Sequence, residues 1–104
     1  MSVLLEFSIF PLDQGESVSR EVSQVIEMIR ESGVNYQLTA VGTLIETDNV
    51  RQALDIVESA TERLGSAGCQ RIYSAIKMDI RIGKENRMEG KPGSIRQRIG
   101  EVKT

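Results

Sequence analysis

The sequence predicts an α+β sandwich in which two β-α-β units share one sheet, and three features point there. Stretches with the two-residue apolar alternation of strands are interleaved with two stretches that carry the periodicity of amphipathic helices. A weak internal repeat aligns Ser32 to Ala40 with Ala67 to Ala75, each a helix end followed by a strand, with Gly33 falling on Gly68. Finally, 104 residues suffice for one core, so a single domain over residues 1–104 is expected, with 83–104 as a loop and docking tail.

Val3 to Phe10 is an apolar run rich in strand formers that stops at Pro11 and Gly15, which describes a buried strand ending in a turn. Val18, Val22, Val25, Ile26 and Ile29 form a stripe opposite Arg20, Glu21, Glu27 and Arg30, a helix that Ser17 would cap and Gly33 would end. Tyr36 to Thr47 is rich in strand formers around Gly42 and reads as two strands, or one bent at that glycine. Asp48 would cap a second helix with Ala53, Leu54, Val57, Ala60 and Leu64 inward, ended by Gly65 and Gly68.

The clearest strand begins at Arg71. Ile72, Ser74, Ile76, Met78, Ile80 and Ile82 fall on one face, and Arg71, Tyr73, Ala75, Lys77, Asp79 and Arg81 on the other. Gly83 to Gly93 reads as a polar loop, followed by a short C-terminal helix with Ile95, Ile99 and Val102 on one side. Gly100 weakens that helix by about 1 kcal/mol relative to Ala, so it needs a surface to dock against. The order β-α-β-β-α-β is that of the ferredoxin-like sandwich: a four-stranded antiparallel sheet with both main helices on one face.

Composition narrows the chemistry. Thirteen basic against fifteen acidic side chains give a net charge of -2, where a domain gripping a phosphate backbone carries a positive excess, so nucleic acid is not an expected partner. Histidine is absent and Cys69 is the single cysteine, which leaves no catalytic triad, no imidazole or thiolate metal cage and no intrachain disulfide. Cys69 reads as a small packing residue. Asp79 with Glu46 or Glu6 would be a carboxylate pair, but nothing in the sequence brings them together. Gly83-Lys84, Gly90-Lys91 and Gly93-Ser94 lack the full P-loop pattern. No catalytic residues, cofactor or metal are therefore expected. The apolar start is broken by Glu6 and follows no basic segment, and no run of about 18 apolar residues occurs, so no membrane association and a cytoplasmic location are expected.

If the helices cover the isoleucine side, Tyr73, Lys77, Asp79 and Arg81 share the other face with Leu4, Glu6, Ser8 and Phe10. That mixture of charge and apolar bulk suits burial against a second copy, with Lys77 and Arg81 as interface charges. The alternative is a wet sheet with cross-strand ion pairs.

Gly42-Thr43-Leu44-Ile45-Glu46, Ile76-Lys77-Met78-Asp79-Ile80-Arg81 and Met88-Glu89-Gly90-Lys91-Pro92-Gly93-Ser94-Ile95 resemble, in order and spacing, the thiamine-binding protein family. The chain differs in having Thr47 after the glutamate of the first motif, where the family usually has Gly, and Pro92 where an aliphatic residue is common. The resemblance implies a ferredoxin-like homo-oligomer, dimers pairing into a homotetramer through their sheets, that binds thiamine or its hydroxymethylpyrimidine part without catalysis. Such a ligand needs an acceptor for its amine, donors for its ring nitrogens and an aromatic or apolar wall. Glu46 or Asp79 suits the first role, Ser8 and Thr43 the second, and Tyr36 or Phe10 the third. Thr39 and Ser74 enter if the pocket lies between sheet and helices. The competing expectation is a self-assembly module with no small-molecule ligand.

Overall fold

The computed structural model describes residues 1–104. Its elements are β1 (Ser2–Pro11), α1 (Ser19–Ser32), β2 (Asn35–Leu38), β3 (Thr43–Thr47), α2 (Val50–Ser66), β4 (Ile72–Arg81) and α3 (Arg87–Ile99). The four strands form one antiparallel sheet in the order β2-β3-β1-β4, the ferredoxin-like arrangement, with a third helix appended.

The pleat of β1 sorts the molecule. Val3, Leu5, Phe7 and Ile9 are buried under α1 and α2 with Ile45, Val25, Ile29, Ala53, Ile56, Ala60 and Leu64. Leu4, Glu6, Ser8 and Phe10 alternate onto the opposite face, beside Asp79, Lys77, Ala75 and Tyr73 of β4. The rings of Phe10 and Tyr73 lie 5.6 Å apart there. The expected division of β1 and β4 into two faces is therefore present.

Coverage of the helix side stops short of β4. Met78 packs against the core, but Ile76 and Ile80 are 46% and 48% exposed, because the helices sit over β1 and β3 and β4 lies beyond them at the sheet edge. Helix starts also depart from expectation. Val18, not Ser17, is the first cap of α1 and gives it no side-chain hydrogen bond. Asn49, not Asp48, caps α2, its side-chain oxygen accepting from Gln52 N at 2.9 Å. Gly33 ends α1 in the left-handed region as expected, at φ 81°. Gly65 lies inside α2, which runs to Ser66, and Gly68 takes the positive φ just beyond it.

The tail differs most. α3 begins at Arg87, inside the stretch read as loop, and includes Gly90, Pro92 and Gly93. None of its residues is buried, and Ile99 is 72% exposed, so the apolar stripe expected to dock is not what holds it. What fixes α3 is polar and comes from the sheet.

Cys69 packs into the core at 6% exposure. Burial, reinforced by the charges of Asp13 and Glu21, pushes its thiol pKa up. Truncating a fully buried side chain tests the core: Leu5→Ala is expected to cost about 2–5 kcal/mol and, in a thermal melt, to lower Tm by at least about 10 °C.

Candidate functional site

The sequence-derived site residues do not converge. Cross-strand pairs Leu38↔Thr43, Tyr36↔Ile45 and Phe7↔Thr43 put Tyr36 and Thr43 on the helix side, whereas Glu46 and Asp79, each opposite Leu4, and Ser8, opposite Ala75, belong to the open side. Each group has its own chemistry.

On the open side Glu46 is engaged by its own chain. Its Oε2 accepts from Ser2 Oγ at 2.6 Å and from the backbone N–H of Arg87 at 2.9 Å, and its Oε1 accepts from Met88 N–H at 3.1 Å. The carboxylate thus does for the first turn of α3 what a capping side chain does, satisfying backbone donors that a helix start leaves without partners. Arg87, 11% exposed, completes the knot. Its Nη1 meets Asp79 Oδ1 at 2.8 Å, its Nη2 donates to the carbonyls of Ser2 and Asp79, and its Nε donates to Ser2 Oγ at 3.1 Å. Lys77 and Arg81 are exposed and form no ion pair within the chain.

Partial burial opposes the charge of Glu46. The hydrogen bonds from Ser2, Arg87 and Met88, together with the Arg87 charge, outweigh it and hold the pKa below the usual carboxylate value. Ser2 and Arg87 escaped the sequence reading: a second-position serine and an arginine in a polar stretch carry no motif, and only the fold brings them to Glu46.

On the helix side a cleft of about 190 Å³ opens between the first half of α1, the end of β1 and the turn joining β2 to β3. Val22, Ile26, Phe7 and Leu38 wall it, and Thr43 and Thr39 line it. Val18, Val22 and Ile26 belong to the predicted stripe, but only Val25 and Ile29 of α1 are buried, so the row spaced by four residues overhangs the cleft. Ser8 borders the cleft from β1, while Tyr36 and Ser74 do not line it.

The two threonines differ. Thr39 spends its hydroxyl on the turn: Oγ1 donates to Gly42 O at 2.9 Å and accepts from the N–H groups of Val41 and Gly42. Thr43, 3% exposed, contributes its hydroxyl to none of the hydrogen bonds that hold this turn. The turn itself is pressed against β1: a Cβ on Gly42 would stand 2.9 Å from the Phe7 carbonyl oxygen. No helix in the molecule is long and apolar enough to cross a membrane.

Two measurements test these assignments. Glu46→Gln is expected to cost about 1 kcal/mol and to speed hydrogen exchange at the start of α3. Because the folded pKa of Glu46 is depressed, its contribution is full above the ordinary glutamate value near about 4.3 and is lost as pH falls through the folded value. Wild-type α3 is therefore expected to loosen on acidification, and Glu46→Gln to lack that step. Gly42→Ala is expected to displace the turn and lower Tm, while Gly90→Ala, in open space on α3, does not.

The model of the thiamine-binding protein family matches residues 5–96. A UPF0045 protein of Mycobacterium tuberculosis is 36% identical over 95 residues, spanning 91% of this chain and 92% of that protein. The crystal structure of a hypothetical protein from Methanocaldococcus jannaschii superposes with a TM-score of 0.79 at 32% identity, over 90% of this chain and 95% of that one. A Thermotoga maritima protein provisionally assigned to thiamine biosynthesis or salvage superposes with a TM-score of 0.78 at 19% identity, over 92% of this chain and 100% of that one, which shows the shared fold. With the family match running from the first strand into the third helix, the chain belongs to the thiamine-binding protein family.

Proposed function

We propose that this protein binds thiamine through its hydroxymethylpyrimidine part, without catalysis, in the cleft between α1 and the sheet. The observation that carries the reading is Thr43: a nearly buried residue whose hydroxyl, left out of the turn's hydrogen bonds, stands at the wall of an apolar cleft. Family membership supplies the ligand class. Size supports the choice of fragment. Pockets for drug-sized ligands begin at about 300 Å³, and the cleft, at about 190 Å³, suits a substituted six-membered ring with the thiazolium left outside. Phe7, Val22, Ile26 and Leu38 enclose the ring, and Thr43 hydrogen-bonds one ring nitrogen.

This reading moves the ligand away from Glu46 and Asp79. Glu46 already accepts three hydrogen bonds and Asp79 holds Arg87, so a ligand amine would compete with the anchor of α3. A second component of the proposal is self-association, supported by the isoleucines that the helices leave uncovered along β4.

Isothermal titration tests the ligand. Thiamine and hydroxymethylpyrimidine are expected to give saturable heat with affinities within about tenfold of each other, since only the shared ring enters the cleft. Thr43→Val is expected to weaken both by about tenfold or more while leaving Tm unlowered. No heat with either ligand from folded protein, or undiminished binding by Thr43→Val, defeats the assignment.

A further inference from the structure

We propose that a groove beside the cleft seats the thiazolium arm of the ligand, with Glu27 facing its cation and Arg30 facing an anion at its end, so that the phosphate ester of thiamine binds more tightly than thiamine itself. The inference rests on the reading of the cleft above and says where the part of the molecule left outside it goes. Val22, Ile26 and Leu38 line both the cleft and a groove of about 400 Å³, so the two spaces are continuous. On the surface of α1, Val22, Ile26 and Arg30 form one row and Ser19, Ser23 and Glu27 the next, each spaced by four residues. Val22 and Ile26 of the first row border the cleft, and the second row belongs to the groove alone.

The groove holds one carboxylate and one guanidinium, and neither is taken. Glu27 and Arg30 are exposed and form no ion pair with each other or with a third group, since the ion pair of the molecule joins Arg87 to Asp79. The Ser23 hydroxyl, by contrast, is committed, donating to the Ser19 carbonyl at 2.6 Å. Three residues apart on a helix, Glu27 and Arg30 have Cβ atoms about 5–6 Å from each other. Thiamine joins its pyrimidine to the cationic thiazolium through one methylene carbon, and a two-carbon arm on that ring carries a hydroxyl, which phosphorylation converts into an anionic group. With the pyrimidine in the cleft, the thiazolium lies against Val22, Ile26 and Leu38, the last 58% exposed, beside the Glu27 carboxylate, and the arm leads on to Arg30. Thiamine brings a cation alone to a groove whose two charges cancel, whereas its phosphate ester brings both signs at a matching spacing. The negative end of α1 and the neighbouring Glu31 oppose an anion there, but they act at a distance and through water, whereas a guanidinium meets a phosphate in contact through paired hydrogen bonds.

The test is isothermal titration of the full chain with thiamine monophosphate, thiamine and hydroxymethylpyrimidine, at low and at high salt. Wild type is expected to bind the monophosphate about fivefold more tightly than thiamine at low salt, a preference that shrinks as salt is raised. Arg30→Gln is expected to abolish that preference while leaving thiamine within about twofold of wild type. Glu27→Gln is expected to weaken thiamine and its monophosphate alike, by about threefold, and to leave hydroxymethylpyrimidine unchanged. Arg51→Gln removes the same charge from the exposed start of α2, outside both spaces, and is expected to keep the preference. A monophosphate that binds no more tightly than thiamine, or a preference lost as fully in Arg51→Gln as in Arg30→Gln, overturns the groove and leaves the cleft standing, provided that thiamine and hydroxymethylpyrimidine still bind. No heat from any of the three ligands defeats cleft and groove together.

Discussion

The pleat of β1 is the constraint from which the rest of the molecule follows. Bonded on both sides, to β3 and to β4, this strand has no freedom to slip, because a shift of one residue would exchange Val3, Leu5, Phe7 and Ile9 for Leu4, Glu6, Ser8 and Phe10 beneath the helices. Its alternation decides that Thr43, opposite Phe7, faces α1, and that Glu46, opposite Leu4, faces the open side. The apolar cleft beside Thr43 and the polar network around Glu46 are thereby separated by the thickness of one sheet.

Each side then uses its polar groups differently. On the helix side a hydroxyl is left uncommitted at the wall of an apolar space, a situation that favours a ligand able to complete the hydrogen bond. On the open side Glu46, Ser2, Arg87 and Asp79 satisfy one another and tie the start of β1, the end of β4 and the first turn of α3 into one network. Such a network is costly to break in part, since each member removed leaves the others without partners. It explains how a helix containing Gly90, Pro92 and Gly93, with no buried side chain, keeps its place.

The strands, the two main helices and their order were legible because their apolar residues recur at the right periods, and the two faces of β1 and β4 followed from alternation alone. Ile76 and Ile80 were read as covered because periodicity reports which face a residue lies on and not how far a neighbouring layer extends. The caps shifted by one residue: Asp48 and Asn49 are adjacent residues that both suit the position, whereas α1 begins after Val18, whose side chain cannot cap it. α3 was hidden because its start is fixed by a carboxylate from β3, a contact across the sheet that no local pattern encodes. Among the ligand candidates, residue type was readable but convergence was not: Tyr36, Thr43, Ser8, Glu46 and Asp79 are distributed over two faces by strand register.

Cys69 has a practical consequence of its own. It is the one thiol in the chain, it lies in the core, and its raised pKa keeps it protonated and unreactive in the folded state. Modification by a soluble alkylating reagent therefore requires the connection between α2 and β4, which carries Cys69, to open away from the core. The rate at which the wild-type protein loses its free thiol counts those openings directly, giving an unlabelled clock for local breathing at the end of α2.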